Sequence, residues 1–225
     1  MFLVYFIIIL IIPVWAQLRV KGAYKKYSKI ESSSFLSGRE VARKILDSNG
    51  LYDVSVEETG GVLSDHYDPR SKVVRLSTNN YHGHSLAAAA IAAHEVGHAI
   101  QDQQDYSFLR IRHALVPVAN IGSNFSWILI LIGMIAGLSN FVLLGIIAMA
   151  AAVLFQFVTL PVEFNASTRA MDEVVSLGII SNAEERDTKK VLNAAALTYV
   201  AAAAVAVLEL FRLILIYTGM QRNEN

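Results

Sequence analysis

The sequence predicts a mainly α, integral-membrane protein with about four transmembrane helices and a small α+β polar part. Three observations predict this. Residues are 54% hydrophobic at a mean hydropathy of +0.44, too apolar for an ordinary soluble domain. Long apolar runs recur along the chain, several of them long enough to cross a bilayer. Between the first two runs lies a polar stretch with helix-capping and strand patterns that suit a small folded domain. Formal net charge is zero, which leaves no basic footprint for nucleic acid. There is no Cys, which excludes disulfides and Cys-based metal sites.

The first apolar run is Met1 to Ala16. Val14-Trp15-Ala16 fits a signal-peptidase pattern, but no Lys or Arg precedes the run, while Arg19, Lys21, Lys25, Lys26 and Lys29 follow it. The positive flank favours an uncleaved signal-anchor with its N-terminus outside and residues 17–114 in the cytoplasm. Ser32-Ser33-Ser34 reads as a loop, and Ser37-Gly38-Arg39-Glu40 is a capping box. The box opens a helix through Ala42, Ile45 and Leu46 that ends at Asn49-Gly50. Val54 to Glu57, Val62-Leu63 and Val73 to Ser77 read as short strands, with turns at Thr59-Gly60-Gly61 and at Asp65 to Pro69. Val73 to Ser77 is the candidate edge strand for binding an extended peptide.

The next segment carries chemistry. Leu86 to Ala93 is wholly small or apolar, and His94-Glu95-Val96-Gly97-His98 follows. Two His four apart lie one turn apart on one helix face, so both imidazoles can reach one metal ion. The Glu beside the first His is placed to act on a water at that metal. On a surface helix the same residues would be an ordinary i,i+4 contact, but a buried helix must satisfy them, and a metal does so. The pattern points to zinc, one ion per chain, and to hydrolysis by activated water.

Catalytic zinc takes a third protein ligand. Gln101 and Gln104 stand where a metzincin needs Gly and His, which excludes that class. His113 is one candidate and a downstream Glu the other. Leu115 to Val162 is apolar except near Gly137-Leu138-Ser139-Asn140, which suits a transmembrane hairpin over 115–161. The hairpin returns to the side it left, so Glu163, just after Leu160-Pro161-Val162, shares a membrane face with His94 and His98. As an alternative, Glu163 is an interfacial carboxylate. His82, His84 and His66 read as loop or turn residues, with His66 and Tyr67 able to donate to an oxyanion. Asn165 and Arg169 are candidate supports of the ligands, with Arg169 and Asp172 an i,i+3 pair. Residues 162–191 are cytoplasmic and 192–220 form the last transmembrane helix, where Glu209 and Arg212 pair structurally and Gln221 to Asn225 emerge outside.

Four stretches of the chain resemble the YugP-like membrane zinc metallopeptidase family. They are Leu63 to Arg70, Ala92 to Gln101, Leu160 to Ser167 and Ala195 to Ala201. A remoter similarity is to integral-membrane gluzincins of the HtpX and CAAX-prenyl-protease type. Those carry E-x-x-A-D after a membrane hairpin, and here Ser167 stands in the place of the Asp. The resemblance implies a zincin-like cytoplasmic domain with His94, His98 and Glu163 as zinc ligands. The expected activity is a metalloendopeptidase at the cytoplasmic membrane with Glu95 as general base, acting on membrane-associated proteins or peptides. The rival expectation is a non-catalytic membrane protein with a structural or degenerate zinc site. A transporter fits poorly, since paired charges near mid-bilayer are absent.

Overall fold

The computed structural model describes residues 2–224; Met1 of the expected anchor and Asn225 of the expected outer tail lie outside the described residues. Seven helices and three strands follow one another in this range. They are α1 (Phe2–Tyr27), α2 (Gly38–Ser48), β1 (Ser55–Thr59), β2 (His66–Asp68), β3 (Val73–Ser77), α3 (Thr78–His82), α4 (Leu86–Gln103), α5 (Ser107–Ala136), α6 (Ser139–Ser176) and α7 (Glu185–Glu224). Four of them, α1, α5, α6 and α7, are long and apolar enough to cross a membrane. Each apolar run lies inside a longer helix, because the polar flanks continue the helical backbone.

The chain divides into two compact units. The first comprises residues 1–14, 107–161 and 199–225. Its α5–α6 hairpin is packed by small residues. A methyl group added at Gly122 would lie 2.6 Å from the Ala148 carbonyl oxygen, and one added at Gly145 would lie 2.8 Å from that of Ser126. Such close backbone approach is how apolar helices gain dispersion energy where no hydrophobic force acts between them. Ile130, Val142, Ile146, Met149 and Leu213 form the buried cluster of this unit. Glu209 pairs with Arg212 at 2.9 Å, as expected.

The second unit comprises residues 15–106 and 162–198. The capping box opens α2: the Ser37 hydroxyl accepts from the Glu40 N–H, and Glu40 accepts from the Ser37 N–H at 2.8 Å. Val41, Ala42, Ile45 and Leu46 then fall on one face and are fully buried. The opposite end stops at Asn49 and at Gly50, whose φ of 72° a β-carbon would oppose.

The sheet departs from the sequence expectation in two ways. Its order is β1-β3-β2, with β1 parallel and β2 antiparallel to β3. Val73 to Ser77 is therefore the central strand, paired on both sides, and offers no free edge. The second difference is local. Val62-Leu63 is not a strand, and Leu63 turns left-handed at φ 55°. The strand lies at His66–Asp68, inside the stretch with turn chemistry. The reason is where the two carboxylates are used. Asp65 accepts from the Ser77 N–H at 2.8 Å and from Asn80 at 2.9 Å, bonding outward to β3 and α3. Asp68 instead holds the turn, accepting from the Arg70 N–H at 3.0 Å and from Ser71 at 2.6 Å.

The hairpin packing is open to test. Gly145→Val should lower the thermal unfolding midpoint of the detergent-solubilised protein, by an overpacking cost of about 1–3 kcal/mol.

Candidate metal centre

Helix α4 can be buried on nearly every side because its first two turns are alanine. Ala87, Ala88, Ala89, Ala90, Ala92 and Ala93 are all buried, with α2, α3, β2 and β3 packed around them. Alanine loses no side-chain entropy in a helix and lets neighbours approach closely. Ser85 caps the helix by accepting from the Ala88 N–H at 3.2 Å. At Gly97 the approach becomes backbone contact. A methyl group there would lie 2.6 Å from the Ala166 carbonyl oxygen of α6.

That contact sets the site. His94 and His98 project from α4 with ring centroids 4.9 Å apart, and Glu163, 1% exposed, projects from α6. The Glu163 Oε2 lies 3.3 Å from His94 Nε2 and 3.6 Å from His98 Nε2. One ligand atom from each residue lies within 4.8 Å of the others. Bonds of about 2.0–2.2 Å from a tetrahedral zinc place neighbouring ligand atoms about 3.3–3.6 Å apart. The two measured edges fit that spacing. They are long for a charge-assisted hydrogen bond, which closes to about 2.7–2.9 Å. Among the described residues no fourth His, Asp or Glu joins the group. His113, the alternative donor, lies on α5 in the other unit and is not in it.

The hydrogen bonds behind the imidazoles select their tautomers. Gln101, fully buried, donates its amide protons to the Val162 carbonyl at 2.8 Å and to Asn165 Oδ1 at 2.9 Å. Arg169, which can only donate, reaches the same Asn165 oxygen at 2.7 Å and Gln104 at 2.8 Å, rather than Asp172. With both amides oriented in this way, Gln101 Oε1 is left to accept from His98 Nδ1, 3.0 Å away. The Nε2 lone pair of His98 then points to the metal position. Ser167 Oγ lies 3.2 Å from His94 Nδ1 and can accept from it in the same manner. The Ser that departs from the gluzincin pattern therefore still touches the histidine. Gln101 escaped the sequence reading, although its place three residues after His98 was the available signal.

Glu95 is buried on α4, and among the described residues no group hydrogen-bonds its carboxylate. Burial pushes its pKa up to about 7, with the charge of His94 opposing and those of Glu163 and Asp65 adding to the rise. His66 is exposed at the start of β2, its ring held by Nδ1 against the Ser64 carbonyl at 2.8 Å. Of the two edge strands, β2 packs on α4, and Tyr67 donates to Asp102 at 3.0 Å. His82 pairs with Glu58 and His84 bonds the Phe35 carbonyl, both apart from the metal group.

The family described as "Putative neutral zinc metallopeptidase" matches residues 2–218. The chain belongs to this family. It is also 54% identical over 211 residues to the "Putative membrane protease YugP" of Bacillus subtilis (strain 168), an alignment covering 94% of this chain and 93% of that protein. No solved structure matches the chain. Together with the four apolar helices, this makes the chain a multi-pass membrane protein.

The raised Glu95 pKa has a consequence for the metal-free protein. The folded state holds a proton that the unfolded chain releases, so this stabilisation is full below the ordinary carboxyl pKa and is lost as pH rises through about 7. In excess chelator, Glu95→Gln should therefore unfold at a higher temperature than wild type at pH 8.5, by up to about 3 kcal/mol. The two should converge near pH 5. Thermal scans at both pH values check the sign.

Proposed function

We propose that the chain is a membrane-embedded zinc-dependent endopeptidase, with His94, His98 and Glu163 as the zinc ligands and Glu95 as the general base. The observation that carries this reading is the placement of Glu163, whose carboxylate oxygen sits at tetrahedral-edge distances from both imidazoles. Three donors suit a catalytic centre, which keeps one position for water, whereas a structural site uses four. When bound, zinc supplies Lewis acidity, acidifying a water and polarising a carbonyl.

The protein's own groups do the rest. Glu95, adjacent to a ligand on the same helix and carrying no hydrogen bond, takes the proton from the attacking water and delivers it to the departing amine. Gln101 and Ser167 hold the imidazoles with Nε2 toward the metal. Because β3 is paired on both sides, β2 is the strand beside α4 whose outer edge can receive a substrate backbone. His66 at its start is the candidate donor to the developing oxyanion.

The membrane face follows from charge. Arg19, Lys21, Lys25, Lys26 and Lys29 directly follow the first apolar run, which assigns that flank to the cytoplasm. Glu163 lies two residues past Pro161, where the apolar part of α6 ends. A site at that boundary suits membrane proteins and their loops as substrates.

Purified wild type should carry about one zinc per chain. Glu163→Ala should lose most of it, and Gln101→Ala should weaken zinc affinity by about 10–100-fold. Glu95→Gln should retain the metal and lose cleavage of a membrane-anchored fluorogenic peptide in proteoliposomes by about 100-fold or more. Full zinc in Glu163→Ala would remove Glu163 from the ligand set. Undiminished cleavage by Glu95→Gln would remove it from the mechanism.

A further inference from the structure

A groove of about 450 Å³ runs between the second half of α1 and the start of α7, inside the second unit. Its α1 wall recurs every three or four residues, from Trp15 to Tyr27, and so occupies one helix face. Its polarity is graded. Trp15, Leu18 and Leu197 line one end, while Lys26, Tyr27 and Lys190 line the other. The two helices run in opposite directions, since Tyr27 at the end of α1 donates to Asp187 at the start of α7 at 3.2 Å while residues as early as Trp15 and as late as Leu197 line the same groove. The apolar end is thus the side on which both helices enter their apolar runs.

Charge at this site is unbalanced. Asp187 accepts from Tyr27 and from Lys190, the latter at 2.7 Å, and that pair neutralises itself. Among the described residues Arg19 has no carboxylate partner, and Lys26 acts on Asp187 through its charge without an ion-pair contact. Arg19 lies over the Trp15 ring at 5.7 Å and Lys26 over Tyr27 at 5.1 Å. The floor is open at Gly22, where an added methyl group would meet nothing within 4 Å.

We propose that this groove is a binding site for one anionic phospholipid, its phosphate held by Arg19 and Lys26 and its acyl chain lying along Trp15, Leu18 and Leu197. A soluble anion would use the cations and leave the apolar end idle. A zwitterionic lipid would use the apolar end and bring no net charge to the cations. Only an anionic amphiphile matches both, and cationic clefts at the cytoplasmic ends of membrane helices suit such headgroups.

The test uses the full chain in mild detergent, titrated with phosphatidylglycerol or with phosphatidylcholine of the same acyl chains, and bound lipid is counted by native mass spectrometry. Wild type should prefer phosphatidylglycerol by about tenfold or more, as two cations near an anionic headgroup imply. The preference should vanish in Arg19→Gln/Lys26→Gln, and Gly22→Leu, whose β-carbon enters open space, should remove bound lipid. Circular dichroism and the unfolding midpoint show that each variant is folded, and the double variant stands alone if Gly22→Leu is not. Equal binding of the two lipids by wild type would overturn the proposal. So would an undiminished preference in the folded variants, or displacement of phosphatidylglycerol by equimolar inorganic phosphate.

Discussion

The metal centre depends on one backbone contact, the approach of α4 to α6 at Gly97 and Ala166. A side chain at position 97 would hold the helices apart by the thickness of a methyl group or more. Glu163 lies three residues before Ala166, about one helical turn away. The same closeness that forbids a β-carbon at 97 puts its carboxylate oxygen at 3.3 and 3.6 Å from the imidazoles of His94 and His98. The alanine run upstream serves the same end, since it lets α2, α3 and the sheet close on α4 and fix its position.

Such burial has an electrostatic cost. Glu95 and Glu163 are both buried, and each carboxylate disfavours the charge of the other. A divalent cation would balance the two carboxylates and would fit the space between His94, His98 and Glu163, which makes the arrangement consistent with the chemistry proposed for it. Without a cation, burial favours the protonated form of Glu95.

The polar support of the site is built from unlike residues with complementary constraints. Arg169 can only donate and the Val162 carbonyl can only accept, so between them they orient Asn165 and Gln101. The orientation passes to His98 Nδ1 without a charged partner at that nitrogen. On the His94 side the neutral Ser167 hydroxyl lies 3.2 Å from Nδ1. Ser167 adds no third negative charge to a centre that already contains two.

The sequence alone determined what local rules can reach. The helix spacing of His94 and His98, the capping box at Ser37 and Glu40, and the four apolar segments each depend on residues within a few turns of one another. Glu163 was legible too, through the hairpin topology that returns the chain to its starting side, and the resemblance to known peptidases named the same residue. What the sequence could not supply was pairing between distant segments. The centre of the sheet fell to Val73–Ser77 because both β1 and β2 dock on it, and no property of that strand by itself distinguishes a central position from an edge. Asp65 and Asp68 look alike as turn residues, yet one bonds across to Ser77 and Asn80 and the other closes the turn. Gln101 and Ser167 acquire their roles only when α4 and α6 meet, since a hydrogen-bond partner 61 or 73 residues away leaves no periodic trace in the chain.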